Sequence, residues 1–427
     1  MEDLQKIPFT RKRMFDSPKD FILVPDIQKL RKQPANILKV LRYGKNHVAK
    51  LLDHELRPIF MTSTTGRSSE PVPFTYTQHD LANMEEVGRR IAWFAQAQPD
   101  DKMVNAFPFA PHLAFWQGHY TSIGQNLFTL STGGGKTMGT DGNVRMISRI
   151  NPEVIIGMPT FMYHLLQHGA KLNHRWDNLK TLVMGGEKVP AGMRQKLAEL
   201  AHNVGADNVN IISTYGFTEA KLVFVECITG DYNTPSGYHI YPDKCIIEVV
   251  DPDTGEPVPD GTGGEIVFTS LDARGSVVLR YRTGDLIEHG LHWGKCPHCG
   301  CTAPRLMGKI SRVSDIKRLN ISKLKGTLVD FNKLEHILDD NKALGAWQIE
   351  LRKRNDDPLE SDEIIVHAVP MNGADESQLV ESIRRQMREE TEISPNRVDF
   401  HNWREMRKLQ GVGTQLKEQK VIDNRPQ

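Results

Sequence analysis

The chain lacks any apolar run of about 18 residues, so no membrane-spanning helix is expected. It also lacks net charge. Its 54 Lys and Arg against 53 Asp and Glu leave +1, too little to capture nucleic acid or an anionic membrane surface. The opening residues Met1-Glu2-Asp3-Leu4 lack the basic stretch and apolar segment of a secretory signal, and a cytoplasmic location is the default expectation. Repeats and low-complexity tracts are absent, as is the G-x-x-x-x-G-K-[ST] spacing of a Walker A loop. Cysteine is scarce: Cys227, Cys245, Cys296, Cys299 and Cys301 are odd in number, with three of them inside six residues. That spacing argues against a secreted disulfide framework and for metal binding in a reducing compartment.

What is present is a globular composition, 39% hydrophobic and 25% charged, over 427 residues. This is too long for one ordinary core, so two or three domains are expected. A helical pattern covers 36–52. From about 80 to 215 helical patterns alternate with short apolar strands at 104–109, 154–157, 182–184 and 209–212, with a helix over 191–201, which predicts an α/β layer with a mostly parallel sheet. Near 240 the texture changes to short strands separated by Gly, Pro and Asp turns, an antiparallel or barrel-like section. After about 315 the pattern is that of a small α+β module, with helices near 332–338 and 376–389 and strands near 347–351 and 363–368.

Four segments carry the chemistry. Met61-Thr62-Ser63-Thr64-Thr65-Gly66-Arg67-Ser68-Ser69 offers hydroxyls and backbone N–H groups that can wrap phosphate oxygens; a plain polar loop is the equal alternative. Ser213-Thr214-Tyr215-Gly216-Phe217-Thr218-Glu219 follows an apolar strand and reads otherwise as a turn after core. In it Tyr215 can stack on a purine, Thr218 can bond a phosphate, and Glu219 is a hard oxygen ligand for Mg²⁺. Upstream, Met184-Gly185-Gly186-Glu187 ends another strand with residues small enough for a flat ring to approach the backbone. Tyr281-Arg282-Thr283-Gly284-Asp285-Leu286 follows the strand-like 264–269, and a carboxylate at a strand end is placed to accept two hydrogen bonds from a ribose diol. Gly308 to Lys317 sits where the α/β body meets the small module, a linker and potential hinge.

In this order and with these separations the four segments resemble the adenylate-forming superfamily of acyl-CoA synthetases, adenylation domains and luciferases. The phenylacetate–CoA ligase-like branch is the nearest. Leu4 to Lys12 resembles its opening "L-P-F-T-x-K" segment, Asn105-Ala106-Phe107-Pro108-Phe109 its "N-A-Y-G-Y", and His239 through Pro252 its "H-x-W-E-D-x-x-x-x-E-x-x-D-P". The resemblance implies a large domain over 1–314 and a small mobile domain over 315–427 with its hinge at Asp315. It places Thr62, Ser63, Thr64, Thr65 and Gly66 on the phosphate loop, Gly186 and Glu187 near the adenine, and Tyr215 and Gly216 against that ring. Thr218 and Glu219 fall at the α-phosphate and Mg²⁺, and Asp285 on the ribose. Arg312 falls before the hinge, and Lys417 on the lysine that stabilises charge building between carboxylate and α-phosphate. Phe107, Phe109 and Gly185 fall where the family lines its acid pocket.

The implied function is ATP-dependent activation of an aromatic or arylacetic acid to an acyl-adenylate, then thioester formation with CoA, releasing AMP and pyrophosphate. ATP, CoA and the acid are the expected partners. No nucleic-acid or membrane partner is expected, and a homodimer is left open. Transfer of the acyl group to an amine or carrier-protein thiol, or a catalytically weakened nucleotide-binding relative, are the alternatives. The chain departs from the family pattern where Ser63 replaces a loop glycine, Arg67 a lysine, Ser68 a proline and Leu416 a glycine. A serine at 63 requires a backbone with negative φ. A helical region of about eighty residues that usually precedes the opening segment is not seen, so a short branch or a truncated chain is expected.

Cys296-Pro297-His298-Cys299-Gly300 is a C-x₂-C knuckle, and with Cys227 and His239 it would make a Cys₃His structural Zn²⁺ site. Cys301 and His298 are rival ligands, while Cys245 reads as a buried small hydrophobe.

Overall fold

The computed structural model describes residues 4, 6–11, 14, 26–64, 71–312, 323–324, 327–328, 331–356, 362–391, 393–411 and 419–425. The chain forms two compact units, Met1–Val189 with Gln195–Ile310, and Pro190–Arg194 with Ser311–Gln427. No helix among the described residues is long and apolar enough to cross a membrane.

The first unit begins with helices Ile27–Arg31, Pro34–Tyr43 and Lys45–Leu56. The single helix expected over 36–52 is broken at Gly44, whose φ of +83° lies outside helical space. A hairpin follows, β1 (Phe60–Ser63) against β2 (Pro73–Tyr76), with Thr62 opposite Phe74. Strands β3 (Lys102–Asn105), β4 (Phe128–Ser131), β5 (Val154–Gly157), β6 (Thr181–Met184) and β7 (Asn210–Phe217) then pair in parallel, in spatial order β4-β3-β5-β6-β7. Helices connect them. Every residue of β5 and β6 is buried and all but Thr181 are apolar, as a parallel strand covered on both faces requires.

Past β7 the same sheet turns antiparallel through β8 (Leu222–Val225) and β9 (Tyr238–His239). The strand expected over 209–212 therefore runs on to Phe217, and Tyr215 and Gly216 lie within it instead of after it. The reason is pairing: Thr214 to Phe217 zip against Leu222 to Val225. A 3₁₀ turn, Thr218–Ala220, closes this hairpin, followed by Lys221 in the left-handed region at φ +58°.

A second sheet contains β10 (Cys245–Val250), β11 (Gly264–Ser270) and β12 (Tyr281–Ile287). The nine-stranded sheet takes in β13 (Leu291–His292) and β14 (Arg305–Leu306) at its antiparallel end, giving β13-β14-β9-β8-β7-β6-β5-β3-β4, and the second sheet is completed by β15 (Ile310–Arg312) in the order β10-β11-β12-β15. The Tyr281–Leu286 hexapeptide is thus itself a strand, and Asp285 lies inside it instead of at its exit. A bulge makes that possible. Glu265 faces Leu286 while Val267 faces Arg282, so β12 carries extra residues against β11. Gly284 takes φ +75° within the bulge, which re-aims the next side chain. Three bonds fasten it: Thr283 Oγ1 donates to the Ile266 carbonyl (2.8 Å), Asp285 N to Thr283 Oγ1 (3.0 Å), and Gly284 N to Glu265 Oε1 (3.1 Å).

The N-terminal segment is strapped to the same strand. Thr10 N donates to the Arg280 carbonyl (3.0 Å) and Arg282 N to the Thr10 carbonyl (2.9 Å). The Arg280 guanidinium lies 4.1 Å from the Phe9 ring centroid and pairs with buried Glu248 through two bonds of 3.0 and 2.9 Å.

The second unit holds a short hairpin, β16 (Lys323–Leu324) with β17 (Thr327–Leu328), and a four-stranded sheet. In that sheet β18 (Leu344–Lys353) and β19 (Asp362–Pro370) are antiparallel, while β20 (Arg397–Phe400) and β21 (Val421–Asp423) join β19 and β18 in parallel. Helices Phe331–Asp340 and Glu376–Thr391 supply Leu334, Leu338, Leu379, Ile383 and Met387 to its core.

Candidate active site

In an open α/β sheet, ligands gather beyond the carboxyl ends of the strands, where the topology switches. Here β5 and β6 end in register at Gly157 and Met184, opposite Ser213, while β7 runs on past them to Phe217 and is the strand where parallel pairing gives way to antiparallel. The Thr214 hydroxyl, at the base of this end, donates to the Met184 carbonyl (2.9 Å). Gly185 follows Met184, and a Cβ there would come 2.3 Å from Thr214 Oγ1 and 3.5 Å from Phe107 Cζ; only glycine fits without displacing that hydroxyl. Gly186 takes φ +82°. Glu187 has one oxygen turned to the start of helix Pro159–Lys171, where Oε2 accepts from Thr160 Oγ1 (2.7 Å) and Thr160 N (3.2 Å).

Two buried pairs stand out. The Tyr215 hydroxyl donates to Asp285 Oδ2 at 2.8 Å, joining the strand from one sheet to the bulge of the other. The Tyr215 ring lies among Phe217, Phe224 and Tyr238, the Phe224 contact being stacked at 6.2 Å and 26°, while Gly216 beside it is exposed. The Tyr281 hydroxyl donates to Glu219 Oε1 at 2.7 Å. Glu219 is buried, and Thr218 before it is half-buried.

Behind Glu219, Lys221 is buried with Nζ 3.4 Å from Asp80 Oδ2 and 4.9 Å from the Tyr76 ring centroid. Burial pulls its ammonium down to about 8, against the opposing pull of Asp80. The Tyr76 hydroxyl in turn meets Thr62 Oγ1 at 3.0 Å. Thr62 is fully buried, with its hydroxyl on the Tyr76 hydroxyl. Thr64 Oγ1 accepts from Val72 N (3.0 Å), pinning the loop's two stems. Ser63 lies in β1, its N–H donating to the Pro111 carbonyl (2.7 Å); it is not among the residues of positive φ. Thr65 and Gly66 lie outside the described residues, as do Asp315 and Lys417. Tyr281, Lys221, Tyr76 and Asp80 were not singled out in the sequence. Tyr281 opens the hexapeptide, but nothing in its spacing signals that its hydroxyl reaches Glu219.

Of the expected acid-pocket residues, Phe107 is buried and Phe109 is 67% exposed. The Phe109 ring is edge-on to Phe115 at 4.7 Å, and its N–H donates to the Gly133 carbonyl (3.3 Å). Arg312 is exposed in β15, in the second unit.

A separate cluster lies at the antiparallel end of the large sheet. One ligand atom from each of Cys227, His239, Cys296 and Cys299 falls within 4.8 Å of the others. Cys227 Sγ and Cys296 Sγ are 3.7 Å apart, and Cys299 Sγ is 3.4 Å from His239 Nε2. Tetrahedral zinc bonds of about 2.3 Å to sulfur and 2.0–2.1 Å to nitrogen require separations of about 3.8 and 3.5 Å, so the donor set fits that ion. His239 Nδ1 is 3.2 Å from the Val225 carbonyl, which sets the tautomer with Nε2 free as a ligand. Burial holds the imidazole down at about 4, and Arg305 adds to it; the ring is neutral. In the knuckle, Gly300 at φ +76° lets its N–H return to the Cys296 carbonyl (3.0 Å). Cys301 and His298 lie outside the four-residue set, and Cys245 is buried in β10.

Residues 63–273 match the family model described as AMP-binding enzyme. Among curated proteins, the chain is 30% identical over 258 residues to the phenylacetate-coenzyme A ligase of Thermus thermophilus, covering 60% of this chain and 54% of that one. It is 27% identical over 347 residues to the phenylacetate-coenzyme A ligase of Escherichia coli, covering 77% and 73%. The chain thus spans about half the length of the Thermus relative. Among solved structures, a 2-hydroxyisobutyryl-CoA ligase in the postadenylation state with 2-HIB-AMP is similar with a TM-score of 0.74 at 18% identity, covering 99% of this chain and 81% of that one. The amide bond synthetase McbA from Marinactinospora thermotolerans is similar with a TM-score of 0.54 at 17% identity, covering 80% and 65%. At these identities the structures speak for the fold.

Proposed function

Because the chain belongs to the adenylate-forming superfamily, in its phenylacetate–CoA ligase-like branch, we propose that it is an AMP-forming acid–CoA ligase. It joins an aromatic or arylacetic acid to AMP with release of pyrophosphate, then passes the acyl group to the CoA thiol. The observation that carries this reading is the Tyr215–Asp285 pair. It holds an aromatic ring beside a buried carboxylate just past the ends of β5 and β6, an arrangement that supports stacking on adenine and hydrogen bonding to ribose.

The chemistry asks the protein for position and charge more than for covalent work. Tyr215 and Gly216 offer a face to adenine next to Gly185 and Gly186. Asp285, held by Tyr215 and by its own bulge, accepts from the ribose hydroxyls. Thr218 donates to the α-phosphate. Glu219 would hold Mg²⁺, since Tyr281 engages Oε1 only and no hydrogen bond to Oε2 exists among the described residues; that ion would offset polyphosphate charge. The resemblance assigns the cation of the first half-reaction to Lys417, with Arg312 as a further nucleotide contact and Asp315 as the hinge. Phe107 and Phe109 flank the acid. The knuckle set Cys227, His239, Cys296 and Cys299 would hold a structural Zn²⁺ in a reducing cytoplasm.

The test is pyrophosphate release from ATP, Mg²⁺ and a panel of aromatic acids, with and without CoA. CoA-dependent formation of AMP and thioester supports the reading. Adenylate that accumulates regardless of CoA points to an amine or carrier-protein acceptor, and ATP binding without turnover of any acid points to a weakened relative. Lys417→Ala should abolish adenylate formation while leaving thioester formation from supplied acyl-adenylate; full adenylation would remove that assignment.

A further inference from the structure

A Cys₃His zinc centre has a charge to balance. Three thiolates and one neutral imidazole around Zn²⁺ sum to −1. Here that charge would sit among residues of which Cys227, His239 and Cys296 are buried, where an uncompensated charge is costly.

Arg305 faces the same place. It is buried at 4% exposure on β14, and the strand register sets it directly opposite His239 on β9. Directly paired residues project from the same face of a sheet. Its Nη1 donates to the Ser236 carbonyl (2.8 Å), and the hydroxyl of that serine accepts from Cys227 N (2.8 Å). Its Nε is buried without a hydrogen-bond partner, and no Asp or Glu among the described residues forms an ion pair with it. A buried guanidinium without a carboxylate is as unfavourable as a buried anion without a cation. The two deficits lie side by side and cancel when the metal is bound.

We propose that Arg305 is the charge-balancing partner of a three-thiolate zinc centre, compensating the −1 of the loaded site and slowing loss of the metal. The inference rests on the zinc reading above. Arg305 is not a ligand, because a guanidinium has no lone pair to give; it acts through the thiolates and through Ser236, which orients the Cys227 backbone.

The experiment uses the full chain purified with zinc. Wild type, Arg305→Met and Arg305→Lys are compared for zinc per chain by elemental analysis, for zinc release to a chromophoric chelator, and for the thiolate-to-metal absorption of the Co²⁺-substituted protein. Arg305→Met should keep the tetrahedral cobalt spectrum but release zinc about tenfold faster or more, the scale seen for groups that support metal ligands. Arg305→Lys, which keeps the charge, should recover most of the loss. The same pair of measurements in a Cys299→His background, where the loaded site is neutral, should show the Arg305→Met effect nearly gone. An unchanged release rate in Arg305→Met, or an equal effect in both backgrounds, overturns the role of Arg305 while leaving the zinc site standing. Wild-type protein without zinc overturns both. Should Arg305→Met fail to fold, Arg305→Lys decides: near wild-type release supports the charge role, and release accelerated tenfold despite the retained charge overturns it.

Discussion

The Tyr215 hydroxyl donates to Asp285 Oδ2 at 2.8 Å across 70 residues of sequence. One strand of the large sheet and one bulge of the second sheet are thereby held to a common geometry. Removing only the hydroxyl keeps the ring. Tyr215→Phe should raise KM for ATP about threefold to tenfold with little change in kcat, because a hydrogen bond to a charged group is worth about 1.5–3 kcal/mol and water replaces part of it. Asp285→Asn should cost more, by losing the anion that the proposed ribose contact requires. Steady-state kinetics with ATP varied at saturating acid check this. An unchanged KM in Asp285→Asn would sink the ribose assignment.

Glu219 presents one oxygen to Tyr281, and among the described residues no donor reaches the other. Glu219→Gln should lower pyrophosphate release about 100-fold and move the Mg²⁺ titration to higher concentration. Tyr281→Phe should move the same titration by a few-fold, since the carboxylate survives but loses its support. A Mg²⁺ curve that does not shift in Glu219→Gln would remove this residue from the metal.

The knuckle gives a choice among neighbours. Cys296→Ser and Cys299→Ser should lose zinc and melt at lower temperature, whereas Cys301→Ser and His298→Ala should keep about one zinc per chain. Chelation should lower thermal stability while leaving adenylation by the still-folded enzyme near its original rate. Zinc retained in Cys299→Ser but lost in Cys301→Ser would reverse the ligand assignment.

The second unit contains a hydrogen-bonded chain of ionisable side chains. His367 Nδ1 lies 2.9 Å from His401 Nε2, and His367 Nε2 lies 2.9 Å from Glu350 Oε2. Asp399 on β20 and Glu405 on helix Trp403–Leu409 face the same ring. Burial, and then the charge of His367, hold His401 below the usual histidine range. The unfolded chain therefore takes up a proton more readily than the folded one as the pH falls below about 6.5. Stability is full above that pH and falls as the solution is acidified below it. Calorimetric melting between pH 7.5 and 5.5 should show the loss, and His401→Gln should flatten it; an equally steep loss in His401→Gln would assign the effect elsewhere.

Much of the large sheet was readable because β5 and β6 are apolar but for Thr181, with helical patterns between them, and period and burial agree there. That Cys227, His239, Cys296 and Cys299 come together was readable because a C-x₂-C knuckle is a local signal. The hexapeptide was readable as a segment but not as a shape. Its two-residue excess over β11 exists only in the pairing, and so Asp285 was expected at a strand exit. The Tyr215 motif was expected just after the strand, because the antiparallel partner that extends β7 lies beyond it in the chain. Arg305 and Lys221 gave no signal at all. An isolated basic residue reads as surface until a fold encloses it.

The N-terminal strap has a consequence in time. The Thr10 hydroxyl donates to the Leu279 carbonyl, 269 residues further along. At about 5–20 residues per second of synthesis, the strap leaves the ribosome on the order of ten seconds to a minute before the strand it must grip. Through that interval Phe9 has no guanidinium beneath it and Tyr281 has not yet been made. The parallel strands can assemble while the chain is still growing, but the Asp285 carboxylate is set only after translation has passed residue 287, and Phe9 and Thr10, made long before it, are among the last residues to find their place.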